Sequence, residues 1–523
     1  MSDLNPKPFP TESVAVRGGV AITSLVRTDE RILMSDIFDD QHGKSARPDL
    51  GSWQEPARSL PIYRETDVLV VGGGPSGTAA AASAAHLVAK VTLLERYNHL
   101  GGLSTGGLVI WIDRMTDWSG KLVIRGIAEE LLDRMPPGSV AGPTPLEWGS
   151  TDTAKAAHWS MRTAAYHGIV TWSPTLDPEQ LKLLSQELLL ERGVKLVYHS
   201  WACMPIMETS ADGKPRVAGV TFESKEGRMA IRAKVVIDCT GDGDIFARAG
   251  AAYTNDIEAA DVHHCMNTSW LFGGVEMNKW IAFRRDQPEA HSAFLAGGRD
   301  QYGLFDRAFV SWRDDIALFM GPRQAGYSAL DVDDLTTVEI KSHRAMANHL
   351  AYYRAHAPGF ENAFMMLSAP QIGVRHARRL TGVDAVLRAR WPDGVALPDE
   401  IGVSPAVSPK FPNISIPYGA LVPQALDGLL APGRHVSCDR NSHGFMREIP
   451  QCWITGQAAG VAAALAVQTG AQPRHVHVPA LQAALLQQGV YLRPAAVTAD
   501  TTNANAATLP AADTTVRPEL VEG

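Results

Sequence analysis

The chain has 523 residues, 45% hydrophobic and 20% charged, a globular composition with ample material for a large core that excludes a mainly disordered chain. At roughly 150 residues per domain, the length corresponds to three or four domains, or to one large cofactor body with a long insertion. A formal net charge of −8 and a pI near 6.1 leave no basic excess for binding nucleic acid.

Five cysteines (Cys203, Cys239, Cys265, Cys438 and Cys452) form no CxxC pair. Reduced, intracellular thiols are therefore expected, rather than a disulfide framework or a zinc or iron–sulfur site. No run approaches the ~18 apolar residues of a membrane helix. The opening MSDLNPKPFP places an acid and prolines where a signal peptide needs basic and then apolar residues. The expected location is cytoplasmic.

Residues 1–60 lack sustained periodicity and are expected to form an irregular arm. Val68, Leu69, Val70 and Val71 make a continuous apolar run that ends in glycines, the pattern of a parallel strand buried on both faces. A small-residue helix is expected over 78–88, then a second buried strand over 91–94 closed by Glu95. Leucines at helical spacing predict a helix over 180–192, followed by a strand over 194–198. Residues 217–222, 229–232 and 235–237 read as a meander with a turn at Lys225, Glu226 and Gly227. Residues 250–370 are irregular and richer in aromatics and arginine, with a strand over 268–274 and a helix over 336–356. A second small-residue helix is expected over 454–468, begun near Thr455. The alanine- and threonine-rich tail over 494–523 offers little to pack.

Gly72, Gly74 and Gly77 match GxGxxG between a strand and a helix. The first permits the tight turn, the second lets backbone approach a pyrophosphate, and the third allows close helix–strand packing. The helix N-terminus then offers free N–H groups to phosphates. Glu95 follows roughly twenty residues later, where a carboxylate can accept from ribose hydroxyls. This motif alone leaves NAD and FAD open. Two further segments favour FAD. Gly101, Gly102, Gly106 and Gly107 bring bare backbone beside the site, which suits a long ligand. The meander ends in DCTGDGD (238–244), where a glycine–aspartate turn can place a carboxylate on a polyol, and FAD has a ribityl chain that NAD lacks.

From about Pro61 to about Leu492 the chain resembles the FAD-dependent oxidoreductases whose glutathione-reductase-like flavin domain is related to fumarate reductase flavoproteins. The resemblance is carried by PIYRETDVLVVGGGPSG, ERYNHLGGLSTGGL, DCTGDGDIFARAGA, PGFENAF, APQIGVRHARRLTG, IPYGALVP, DGLLAPGR and IPQCWITGQAAG, in the family's order. It implies an α/β fold: a Rossmann-like, glutathione-reductase-like FAD domain with an interleaved α+β substrate cap. The expected division is FAD domain at 61–125, 191–250 and 415–493, and cap or substrate segments at 126–190 and 251–414. Gly419 stands where the family usually has arginine, so that arginine's contact is not carried over.

The resemblance places Gly72, Gly74 and Gly77 at the pyrophosphate and Glu95 at the adenosine ribose. It runs Gly101 and Gly102 along the cofactor, and sets Asp242 at the ribityl or pyrophosphate region. Pro75, Ser76, Arg96, Thr240, Gly241 and Gly456 complete the expected cofactor set. Residues 447–456 would border the flavin ring, with the following helix aimed at its pyrimidine end. His443 and Arg447 precede that helix. His443 is the first candidate for general acid or base, and Arg447 joins it. Arg375 matches a family arginine that would anchor a substrate carbonyl or carboxylate, or stabilise reduced flavin. His264 or His263, adjacent on a strand, could face the site singly. His99 is offset from the position of a covalent flavin link, and Cys438 and Cys452 read as packing residues.

The implied activity is hydride transfer between a small organic substrate and flavin N5, as dehydrogenase or reductase, with an electron acceptor still to be identified. Trp270, Trp280, Phe283, Tyr302, Phe305, Phe309, Trp312, Arg307 and Arg313 are consistent with an aromatic or carboxylated substrate. A flavin monooxygenase or halogenase fits less well: Gly241 and Asp242 are followed by Gly-Asp-Ile rather than Ala-Ala-His, and no WxWxIP run occurs. A non-catalytic electron-transfer subunit would need a second redox centre that the cysteine pattern does not supply.

Overall fold

The computed structural model describes residues 50–493 apart from 88, 211 and 257–263. Most of the expected arm, the tail over 494–523 and His263 lie outside the described residues. Strand β1 (Ile62–Val71) ends in the fully buried Val68, Leu69 and Val70. Helix α1 (Pro75–His86) starts three residues before the expected bound, because proline's fixed φ suits a first turn. Strand β2 (Val91–Leu94) lies where its apolar run predicts. Helix α2 (Pro178–Glu191) is capped by Asp177, whose carboxylate accepts from Glu179 and Gln180 N–H.

Strands β3 (Lys195–Val197), β4 (Trp201–Thr209), β5 (Pro215–Ser224) and β6 (Gly227–Asp238) follow. Two of the expected meander strands are one: β6 runs through Arg232 and Lys234, which are exposed, while Ala233 between them is buried. Strand β4 leaves no sequence signal because most of its side chains are exposed or half-buried, without apolar alternation. Next come helix α3 (Asp244–Arg248), strands β7 (Trp270–Gly273), β8 (Phe309–Val310) and β9 (Ile316–Phe319), helix α4 (Val332–His356) and strand β10 (Phe364–Ser368). The described chain then supplies strand β11 (Leu429–Leu430) and helices α5 (Arg440–Met446) and α6 (Ile449–Thr469).

The main sheet has seven strands in the order β3-β2-β1-β6-β5-β4, with β11 also paired to β6. Pairs β1–β2, β2–β3, β1–β6 and β6–β11 are parallel, whereas β6–β5 and β5–β4 are antiparallel. The parallel strands β1, β2 and β6 therefore end together, and the order reverses about β1. Ligands of open α/β sheets bind outside the carboxyl ends of strands at such a reversal.

Helices α1 and α6 pack through small residues. A Cβ on Gly456 would lie 2.1 Å from the Ser76 carbonyl oxygen, and one on Gly460 2.1 Å from that of Ala80. Helix α6 begins at Ile449, six residues before the expected Thr455, because Pro450 sits in its first turn, where proline is tolerated. Among the described residues no helix is long and apolar enough to cross a membrane.

A second, antiparallel sheet has the order β8-β9-β7-β10. The aromatic cluster around it corrects the reading of 250–370: Trp270, Trp280 and Phe305 are buried core residues, and Trp270 stacks on Phe319 at 5.1 Å. Ring packing fills this core, and Arg313 is spent on a surface pair with Asp315 at 2.6 Å. Buried among the rings, His349 donates from Nδ1 to the Ala345 carbonyl and accepts at Nε2 from the Asp306 N–H. Burial holds its pKa down to about 4.

A depressed histidine pKa stabilises the fold above the unfolded value near 6.5, and that contribution is lost as pH falls towards the folded value. The unfolding free energy is therefore expected to fall between about pH 6.5 and about pH 4, and His349→Gln should flatten that slope by up to about 1.4 kcal/mol per pH unit. Calorimetry across this range checks it; an equal slope in the variant would remove His349 as the source.

Candidate active site

The turn after β1 uses its glycines for different reasons. Gly72 has φ +102°, and a Cβ there would meet the Cys239 carbonyl oxygen at 2.5 Å. A Cβ on Gly77 would meet the Gly72 carbonyl oxygen at 1.8 Å. Both positions need glycine for backbone packing. At Gly74 the nearest atom is the Gly102 Cα, 4.0 Å away, and the residue lines a cleft.

Glu95 closes β2 and turns back onto the glycine turn. One carboxylate oxygen accepts from Gly73 N–H at 2.6 Å, the other from Tyr97 N–H at 2.9 Å. Burial raises its pKa, and these N–H groups oppose the shift. Gly101 N–H donates to the Gly73 carbonyl at 2.8 Å, stitching the second loop to the first. Gly102 reaches the cleft wall; Gly101 does not. Arg96 lays its guanidinium 4.9 Å from the ring centroids of both Tyr97 and Trp201, and all three line the cleft.

Pro75, Ser76, Thr240, Gly241 and Asp242 also line it. The turn after β6 is braced from beneath by the buried Asp238. Its carboxylate accepts from Thr240 N–H at 3.0 Å and Oγ1 at 2.7 Å, and from Ile245 and Phe246 N–H at 3.0 and 2.9 Å. From across the cleft wall, Arg434 fastens the turn. It donates to the Gly241 carbonyl at 3.0 Å, the Val374 carbonyl at 2.7 Å and Asp242 Oδ1 at 2.5 Å. Sequence reasoning gave neither Asp238 nor Arg434 a role, although both stand inside motifs quoted for the resemblance. Arg434→Ala frees three acceptors at once. The FAD dissociation constant is expected to rise about tenfold or more, read by quenching of flavin fluorescence; unchanged affinity would make Arg434 a bystander.

The far end of the cleft is the start of α6. Arg447, Ile449 and Cys452 line it, and the open first turn of a 21-residue helix presents its positive end there. Arg447 pairs with Glu448 at 3.0 Å; burial raises the Glu448 pKa. Arg375 stands beside Arg447 and Arg323, and burial, reinforced by those charges, lowers its pKa to about 10. Arg375 and His443 are not on the cleft wall. His443 is fully buried, and burial with Arg447 and His376 nearby pushes its pKa well below the usual range.

Gly456 and Gly77 do not reach the wall either; Gly456 lies against α1. Burial pushes the Cys438 and Cys452 thiols up to about 12. His99 lies off the cleft, hydrogen-bonded to Asn98 at 2.8 Å. His264 packs its ring on His376 at 5.4 Å. A Cβ on Gly419 would meet Asp384 Cβ at 2.8 Å, so an arginine there would clash.

An elongated nucleotide cofactor fits this arrangement: the cleft offers an acid and stacked rings at one end, a glycine turn in the middle and a helix N-terminus with Arg447 at the other. The chain is similar to a bifunctional tRNA 5-methylaminomethyl-2-thiouridine biosynthesis protein of Chromobacterium violaceum, 43% identical over 67 residues, 12% of this chain and 10% of that protein. It is similar to a thiamine thiazole synthase of Methanothermobacter thermautotrophicus, 25% identical over 179 residues, 34% of this chain and 57% of that one. The chain thus spans less than two thirds of either relative. A solved structure of a geranylgeranyl bacteriochlorophyll reductase-like protein of Thermoplasma acidophilum matches with 14% identity and a TM-score of 0.37, over 82% of this chain and 84% of that one. The family model described as FAD dependent oxidoreductase matches residues 67–485, and the chain belongs to that family: it is an enzyme whose cofactor is FAD.

Proposed function

We propose that this enzyme passes a hydride between a small organic substrate and FAD, as a dehydrogenase or reductase. The observation that carries the reading is the paired positive character at one end of the cleft, from Arg447 and the α6 N-terminus. When bound, FAD supplies a two-electron acceptor or donor.

The chain's residues divide the rest of the work. Gly72, Gly74 and Gly102 would leave room for the pyrophosphate along bare backbone. Glu95 would accept from the ribose, and Arg96 with Trp201 would flank the adenine. The Asp242–Arg434 pair would hold the middle of the cofactor. Arg447 and the α6 N-terminus stabilise negative charge that develops at their end of the cleft. The protonated, buried state of Cys438 and Cys452 argues against a thiolate relay. Residues 251–414 would form the cap over the substrate.

The test is an anaerobic screen of alcohols, amines and acids for bleaching of the bound flavin. One substrate that bleaches it stoichiometrically is the expected result. Bleaching by reduced nicotinamide alone, followed by oxygen-dependent hydroxylation, would replace this reading with a monooxygenase.

A further inference from the structure

Segment 371–374 forms one stretch of the cleft wall through Gln371, Ile372 and Val374. Its backbone is fixed at both ends. Gln371 N–H donates to the Gly106 carbonyl at 3.3 Å, and the Val374 carbonyl accepts from Arg434 at 2.7 Å. The half-buried Gln371 side chain, by contrast, makes no hydrogen bond among the described residues, and its Oε1 is shut off from water. Buried polar atoms are normally paired, because an unpaired one forfeits its hydration.

Other buried polar atoms lack partners too, Trp270 and Trp280 Nε1 among them, but they belong to residues off the cleft wall. Of the described residues that line the cleft, two carry such a nitrogen or oxygen: Gln371 with Oε1 and Arg447 with Nε. Arg447 gives Nη2 to Glu448 at 3.0 Å, which balances its charge and leaves the Nε–H donor. The fold brings the two residues to one end of the cleft, since Arg375, four residues beyond Gln371, bears on Arg447.

Together they ask for one acceptor, towards Arg447, and one donor, towards the amide oxygen. A carboxylate brings no donor, an ammonium group no acceptor, and an apolar group neither. A C(=O)–N–H edge brings both. The pyrimidine ring of a flavin has that edge, with N3–H between two carbonyl carbons, and its dimethylbenzene ring does not.

We propose that Gln371 Oε1 accepts from flavin N3–H while Arg447 Nε–H donates to an adjacent flavin carbonyl, so that this amide sets which way round the ring lies. The inference rests on the placement of FAD in the cleft, and adds to it a positioning residue that reads the ring itself. A ring fixed at these two groups presents its reacting face to the substrate at one angle.

The experiment incubates the FAD-loaded enzyme with 3-methyl-FAD, in which a methyl group replaces the N3 hydrogen. Chromatography of the bound and released flavins gives the ratio of the two affinities. FAD is expected to bind about tenfold or more tightly than 3-methyl-FAD. Gln371→Leu and Gln371→Met each remove the amide and should bring the ratio close to one. A merely structural glutamine would lower the melting temperature on substitution and leave the ratio unchanged. Equal affinities in the unaltered enzyme, or a ratio that survives in the variants, would overturn the proposal. Where one variant fails to fold the other decides, and equal affinities in the unaltered enzyme overturn the proposal without either. A ratio near one in an enzyme whose Gly74→Val variant loses FAD would sink this inference and leave the placement of FAD standing. Full flavin content in a folded Gly74→Val protein would remove the placement and this inference together.

Discussion

Gly74→Val is expected to give a folded protein that has lost its FAD. The backbone at Gly74 has φ −66° and ψ −173°, a conformation any residue adopts. The nearest atom to a Cβ there is the Gly102 Cα, 4.0 Å away, so the backbone leaves room for a Cβ, and the residue lines the cleft. The valine methyls would occupy the space that a pyrophosphate needs against the helix N-terminus. Affinity should fall by about 100-fold or more, about 2.7 kcal/mol. Flavin content after purification and circular dichroism check the two halves separately. Full flavin content in a folded Gly74→Val protein would remove the pyrophosphate from this turn.

Gly456→Val should act in the opposite way, on the fold first. A Cβ there would lie 2.1 Å from the Ser76 carbonyl oxygen, and its other close neighbours are also Ser76 backbone atoms. No flexible side chain can yield, so α1 and α6 must move apart. Overpacking of this kind costs about 3 kcal/mol or more. Because α1 begins at the glycine turn, FAD affinity should fall as a consequence. The distinguishing readout is the melting temperature of the flavin-free protein: lowered for Gly456→Val, unchanged for Gly74→Val. Gly456 thus keeps two helices close, whereas the resemblance had placed it in the cofactor set.

The contrast shows what the sequence could carry. The β1–α1–β2 unit was legible because each signal is local: an apolar run, glycines at fixed spacing, an acid at the end of the next strand. The motif already separated the turn glycine Gly72 from Gly74, and the structure agrees in kind: a Cβ on Gly72 would meet backbone, whereas one on Gly74 would not. Arg434 was invisible as a site residue because its partner Asp242 is 192 residues away. His443 was singled out by position, but its ring contact with His376 depends on how distant segments pack. The start of α6 was misplaced because Pro450 looks like a break and acts as a first-turn residue. Strand β4, exposed along most of its length, left no apolar alternation to read.

We propose that the cleft holds FAD from Glu95 at one end to Arg447 at the other. A crystal structure of the FAD-loaded enzyme tests it most directly. The adenine is expected beside Arg96 and Trp201, the pyrophosphate over Gly74, and the flavin ring against Ile449 and Cys452 at the start of α6. A flavin ring at the Glu95 end, or FAD bound outside this cleft, would contradict the account.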